Sequence, residues 1–478
     1  MTSSTSSTPI RPRLTFLDQD HIARVHEASL RILSSVGVRV DSKQGRQVLE
    51  DAPGVTWEGD RARIPPELIE RALETAPSVV DIYDQRGAFS FSLGSGEAHF
   101  GVGVTALEYQ DPETDDTVPF GRHHFRSTVR LGNALPSFDV VSTVGIIQDL
   151  PPDVADLYAV LEMTANTTKP LVILVSDEEL FEDCIRLLEH LRGDVASRPF
   201  AIPYFNPITP LVVNAGTVQK MVIAIERDLP LIYSNYGMIG ATTPITSAGT
   251  LALLNAELLV GLTLSQIIKE GAPVILGSLP ASFDMRGMGT FYQPQGYLLG
   301  LACAEMMKHY GLPHCGTSGS GVGWGPDLVA AGHQWMNHLL ACVSTMELVP
   351  FVGDILGAKA FSPALVVYAN DVIREARQLA AGFEFDATSV GFGEIAEIGP
   401  GGTYLESDRT FERFRDAYQQ SDVLPHLTLE GWRDRGRLRA EEVLRDYTRR
   451  LIRDLEGPAD YEDVMARGEA FIEDLIMD

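Results

Sequence analysis

LPLIYSNYGMIGATTPITSAG, residues 229–249, decides the fold. Its first half, from Leu229 to Asn235, is the short apolar and aromatic run of a buried strand. Its second half is a Gly/Thr/Pro loop that leads into a long apolar helix. Where a parallel strand hands over to its helix, side chains converge on a cleft while the scaffold stays rigid, so Tyr233, Asn235 and Tyr236 are candidates to touch a ligand. Tyr and Asn at a strand end serve equally well as satisfied packing groups, and that reading stands beside the first.

Working outward, apolar strand-like runs recur at Asp139–Ile147, Pro170–Val175, Phe200–Tyr204, Leu229–Ser234, Ala272–Gly277, Leu312–Gly316 and Val349–Gly353. Helical stretches separate them at Asp153–Thr164, Asp177–Leu191, Thr217–Glu226, Ser247–Lys269, Gln295–His309 and Asp327–Met346. Such alternation makes either an open doubly wound sheet or a closed (β/α)8 barrel of the TIM type. No strand is followed by GxGxxG, and the repeats span more than the roughly 250 residues a barrel needs, so the barrel is expected. For the eighth strand the candidate is Phe385 to Phe392, with the β-rich region before residue 135 as competitor. The expected organisation is a disordered arm (1–17), an N-terminal α+β extension packed on the barrel (18–135), the barrel (136–400) and a C-terminal helical extension (401–478). In that extension Val443, Tyr447, Leu451 and Leu455 lie four apart on the face of a closing helix.

Composition excludes several classes. With 38 Lys and Arg against 65 Asp and Glu the formal charge is −27, which repels nucleic acid and anionic membranes. Cys184, Cys303, Cys315 and Cys342 are widely spaced and form no CxxC, so neither a disulfide framework nor a zinc site is expected. A reducing cytoplasm fits that usage. The start, MTSSTSSTPIRPR, has no apolar core for export. The apolar segment from Thr250 to Ile268 is interrupted by Asn255, Glu257 and Gln266, and reads as a buried helix rather than a membrane span.

Nucleophile elbows, HExxH and Walker loops are absent, and the adjacent His123 and His124 read as solvated surface rather than a metal site. Polar and aromatic residues gather instead at strand ends: Tyr204, Phe205 and Asn206; Tyr233, Asn235 and Tyr236; Asp284; Gln293; His314; Trp324; and Asp354. The run GTSGSGVGWGPD, from Gly316 through Thr317 to Asp327, offers backbone amides at the same end, or alternatively a flexible lid. If the barrel closes, all of these open on one face. Aromatic faces beside a carboxylate suit a methylated ammonium ion, whose diffuse charge donates no hydrogen bond but is attracted to rings by roughly 0.5–2 kcal/mol per contact. No single catalytic residue is assigned.

Six segments together resemble the trimethylamine-corrinoid methyltransferase superfamily and its glycine betaine branch. They are GVRVD at Gly37–Asp41, NPITPL at Asn206–Leu211, GATTPITSAG at Gly240–Gly249 followed by NAELL, KEGAPVILG at Lys269–Gly277, YGLPHCG at Tyr310–Gly316, and EIAEIGPGGTYL at Glu394–Leu405. The resemblance implies a TIM-type barrel that transfers a methyl group from a methylated amine to the Co(I) of a corrinoid, the corrinoid being held by a partner protein and not tightly by this chain. A homo-oligomer is expected. Trimethylamine members use a pyrrolysine to activate a tertiary amine, and this sequence has none. A quaternary nitrogen needs no proton to leave, so a donor such as glycine betaine, carnitine or proline betaine is expected, with Asn206, Asn235, Gln293, Thr317 and loop amides as donors to its carboxylate. The rivals are a barrel lyase or hydrolase using Asp284, Asp354 or His314 as acid and base, and a non-catalytic betaine-binding protein.

Overall fold

The computed structural model describes residues 9–317, 321–417 and 421–477. Eight parallel strands close into a ring: β1 His99–Val102, β2 Val140–Ser142, β3 Leu171–Ile173, β4 Ala201–Phe205, β5 Leu231–Ile239, β6 Val274–Asp284, β7 His314–Cys315 and β8 Leu348–Val352. Each strand pairs with the next in chain order, and β8 returns to β1 through Leu348↔His99 and Val352↔Val102. A helix follows every strand: α1 Arg122–Ala134, α2 Pro152–Asn166, α3 Phe181–Arg192, α4 Ala215–Glu226, α5 Ser247–Ile268, α6 Pro294–Tyr310, α7 Leu328–Val343 and α8 Pro363–Ala381. This is the expected (β/α)8 architecture.

The ring corrects the expected source of its eighth strand. Phe385–Phe392 holds no strand; Asp386 caps a short helix, Ala387–Val390, through the Thr388 and Ser389 amides. The missing strand is β1, inside the region expected to be an extension, and the last barrel helix ends at Ala381. A Cβ on Gly101 would lie 2.5 Å from Val140 Cγ2 and 2.9 Å from the Pro350 Cα, so closure demands glycine there and deprives β1 of an apolar run. The expected disordered arm is also partly pinned: the Phe16 and Leu17 amides each donate to Glu305 at 3.0 Å, and Ile10 bridges to Phe383. Residues 1–8 lie outside the described part.

The N-terminal floor of the barrel is closed by a hairpin, Val80–Tyr83 with Phe89–Leu93. Its Val80, Ile82, Phe91 and Leu93 are buried in one cluster with the inward residues Val140, Val172, Ile202, Ile232 and Ile275 near the strand starts. Glu347, just before β8, accepts from the Gly94 and Gly96 amides at 2.7 Å each and holds the hairpin in place. Helix α5 is long and apolar enough to cross a membrane but is 89% buried between the barrel, α6 and the N-terminal helices Gln19–Arg31 and Pro66–Thr75. Polar residues on it bond within the protein: Glu257 accepts from Thr209 Oγ1 and the Leu211 amide, and Asn255 Nδ2 donates to Ser29 Oγ. Two C-terminal helices, Ala440–Asp454 and Tyr461–Met477, pack on α8 and α2 respectively.

Candidate functional site

Along each barrel strand alternate residues face the lumen, so the parity of a position decides whether it reaches a ligand. At the C-terminal ends the inward set is Leu174 after β3, Tyr204 and Asn206 of β4 and its end, Tyr236 of β5, Leu279 of β6, Thr317 after β7 and Phe351 of β8. Val104 and Thr105 after β1, Tyr292 ahead of α6, and Asp354 and Ala358 after β8 complete a cavity of about 200 Å³. The Tyr204 and Phe351 rings meet edge-on at 5.1 Å. Thr105, Leu356 and Ala358 all hold positive φ (54°, 55° and 65°), a local strain that clusters where the loops turn over the cavity.

Asp354 is fully buried and neither carboxylate oxygen has a hydrogen-bond partner. Burial pushes its carboxyl well above the usual range, with only partial relief from its own amide and that of Gly321. Gly321 packs against Tyr292 and Gly357, its carbonyl accepting from the Gly357 amide at 2.8 Å, so the Gly-rich loop is stapled to the loop after β8. Residues 318–320 of that loop lie outside the described part.

Of the residues expected at the site, Tyr204, Asn206, Tyr236, Thr317 and Asp354 line the cavity. The others do not. Tyr233 faces outward against α5, where a Cβ on Gly261 would fall 2.2 Å from its ring. Asn235 also faces outward, donating to the Leu254 carbonyl at 2.8 Å and accepting from Ser278 Oγ at 2.9 Å. Phe205 packs on Phe181 in the outer layer. His314 precedes the inward Cys315 and so points into the helix layer, where burial lowers it to about 3. Gly316 lies beside Met346 rather than at the cavity, giving room for its sulfur. Asp284 caps a surface turn through the Arg286 and Gly287 amides, Gln293 sits at the N-cap of α6, and Trp324 is 75% exposed. Tyr204, Tyr233 and Gly316 therefore share no cavity, although β4 and β5 are neighbours.

Tyr292 and Phe351 were not expected. Each lies close in sequence to an expected site residue, Tyr292 next to Gln293 and Phe351 three before Asp354. His123 and His124 are not uniformly solvated either: His124 stacks on Tyr109 at 4.3 Å. Among the described residues no group of three or more His, Cys, Asp or Glu side chains is placed to hold a metal ion.

A closed parallel barrel with a ligand-sized aromatic cavity under the C-terminal ends of its strands is the architecture of a TIM-barrel enzyme. The trimethylamine methyltransferase (MttB) family profile matches residues 3–474, and the chain belongs to that family. It is thereby a methyltransferase. Similar proteins include the glycine betaine methyltransferase of Desulfitobacterium hafniense strain Y51, 24% identical over 480 residues that cover 96% of this chain and 97% of the relative. The trimethylamine methyltransferase MttB of D. hafniense strain DSM 10664 / DCB-2 is also 24% identical, over 87% of this chain and 85% of its own. In fold the chain is similar to the Methanosarcina barkeri monomethylamine methyltransferase MtmB, with a TM-score of 0.54 and 8% identity over 93% of this chain and 89% of that one.

Proposed function

We propose that this chain takes a methyl group from a quaternary ammonium compound, the class that includes glycine betaine, and delivers it to the Co(I) of a corrinoid carried by a partner protein. The observation that supports this reading best is the cavity itself, where Tyr204, Tyr236, Tyr292 and Phe351 surround a space that also receives one carboxylate. Ring faces attract a quaternary nitrogen and ask no hydrogen bond of it. The corrinoid, as the co-substrate, supplies the nucleophile, which leaves this chain the tasks of orienting the methyl–nitrogen bond and excluding water. The rim suits a large, flat, apolar visitor: Ile245, Met285, Met288 and Trp324, on loops that follow the strands, and Leu328 at the start of α7 are each at least 73% exposed. The acid–base rival loses support, because Asp284, His314 and Asp354 do not converge.

The test is to incubate the protein with Co(I) cobalamin and a panel of quaternary amines and follow the visible spectrum of the corrinoid. Methylation with at least one quaternary donor, and none with trimethylamine, is expected. Tight binding without spectral change across the panel would instead favour a betaine-binding protein.

We also infer that the chain assembles with copies of itself. After α8 the segment from Gly382 to Ala417 hydrogen-bonds mainly within itself, as in Ser407 with Glu394, yet its Phe385, Phe392, Leu405 and Phe411 are 67–86% exposed. Each aromatic ring offers about 150–250 Å² to a contact, so the segment approaches the ~800 Å² per partner of a standard interface. It springs from the floor end of α8, away from the mouth where a corrinoid carrier would dock, which favours a second copy as its occupant. Light scattering on the wild type and on a Phe392→Ser/Phe411→Ser variant should show an oligomer reduced to smaller species; an unchanged mass rejects the inference.

A further inference from the structure

Six acidic side chains are buried among the described residues, and five of them are paired. Glu162 accepts from Arg122 and Arg126, Glu257 from Thr209 and the Leu211 amide, Glu305 from the Phe16 and Leu17 amides, Glu347 from the Gly94 and Gly96 amides, and Asp371 from Arg374 and Ser421. Asp354 alone makes no well-formed hydrogen bond, with only its own amide and that of Gly321 near enough to ease it in part. An unpaired carboxylate in such a place is strongly unfavourable unless it carries a proton or meets a cation. It is also the one acid of the six that borders the cavity.

Nothing cationic among the described residues answers it. No Lys, Arg or His is found among the described residues that line the cavity. A second, substrate-borne carboxylate would find no cationic partner among the described lining residues, only neutral hydroxyls such as that of Tyr204, which is buried without a partner. Asn206 Nδ2 donates to the Ser234 carbonyl at 2.7 Å, Asn235 faces the helix layer, and Gln293 sits at the N-cap of α6. A zwitterion bound here would place its own carboxylate in the same small space as Asp354. A plain cation would not.

Resting on the reading that the donor is a quaternary ammonium ion, we propose that Asp354 is its counter-ion, and that the cavity selects tetraalkylammonium ions without a carboxylate over betaines. In the empty site burial favours the neutral acid. When the cation enters, the Asp354 O–H bond breaks, the proton passes to the buffer, and the carboxylate left behind faces the ammonium. Binding of the cation therefore strengthens as pH rises, until the empty-site acid is itself ionised. The other titratable groups facing this space are Tyr204 on β4, Tyr236 on β5 and Tyr292 before α6; Tyr297 on α6 is near enough to feel the Asp354 charge, and Cys315 on β7 lies inward in the layer packed beneath. Burial pushes Tyr204, Tyr292, Tyr297 and Cys315 upward, so near neutral pH they do not imitate Asp354.

Calorimetry on the full chain with tetramethylammonium, choline and glycine betaine, in two buffers of different ionisation enthalpy, tests this without any corrinoid. The two plain cations should bind more tightly than glycine betaine and release close to one proton, which the wild type alone can show. Asp354→Asn should weaken tetramethylammonium binding by about thirtyfold or more and abolish the proton release. Tighter binding of glycine betaine, or no proton release with tetramethylammonium, overturns the counter-ion role while leaving a quaternary donor intact. Failure of all three ligands to bind removes the donor reading and this inference together.

Discussion

Tyr204 and Tyr236 face the lumen while Tyr233, three positions before Tyr236, lies under α5, and this difference separates a ligand-binding ring from a packing one. The sequence showed which residue types gather at the strand ends but not their parity. In a parallel strand both faces are buried and apolar, so no polar alternation marks the inward side, and a shift of one residue exchanges the two sets. His124 shows a second effect of surroundings on a single residue. Burial first, then the charge of His123, lowers it from 6.5 to about 4, and its Nδ1 accepts from the Gly121 amide at 3.1 Å as a neutral ring does. The folded chain thus binds fewer protons than the unfolded one between those values, so the stability due to His124 is complete above 6.5 and is lost as pH falls towards 4. Urea midpoints followed from neutral pH to about 5 should drop less for His124→Gln than for the wild type. Parallel profiles would show that His124 is not buried as neutral.

Between elements, the join of α1 to α2 rests on Glu162, which is fully buried. Arg122 Nε donates to it at 2.7 Å, Arg126 Nη2 at 2.8 Å and Asn166 Nδ2 at 2.8 Å. Because Arg126 would lose its carboxylate and Arg122 would keep only Glu469, Glu162→Gln should cost about 1.5–3 kcal/mol in chemical denaturation. A loss under 1 kcal/mol would mean that water already screens the pair. Long elements of this kind were legible in the sequence: α2 to α7 follow helical spacing, and the strands between them are apolar runs. Short ones were not. Strand β1 spends its third position on Gly101 so that Val140 and Pro350 can approach, and what closes the barrel is therefore what hides the strand from a pattern search. The aromatic residues of Phe385–Phe392 mislead for the opposite reason, since they look like buried strand residues but flank a capped turn and are not covered by the rest of their own chain.

At the level of the whole molecule, the family profile covers nearly the full chain and the barrel explains why so distant a likeness survives, because a closed ring constrains inward volume more than residue identity. Substitution of inward floor residues tests how tightly the hairpin seals the ring: Phe91→Ala, deep in the cluster with Ile202 and Ile232, should lower stability by about 3–5 kcal/mol in a denaturation experiment. An effect within 0.5 kcal/mol would mean the floor is loosely packed. That sealed floor also governs traffic. A vessel stoppered at one end has a single doorway, so the small donor has to pass inside before a bulky carrier covers the opening, and the spent amine leaves only after the carrier withdraws. Initial rates measured while both reactants are varied should therefore show compulsory order, with excess carrier inhibiting turnover by shutting the doorway on an empty room.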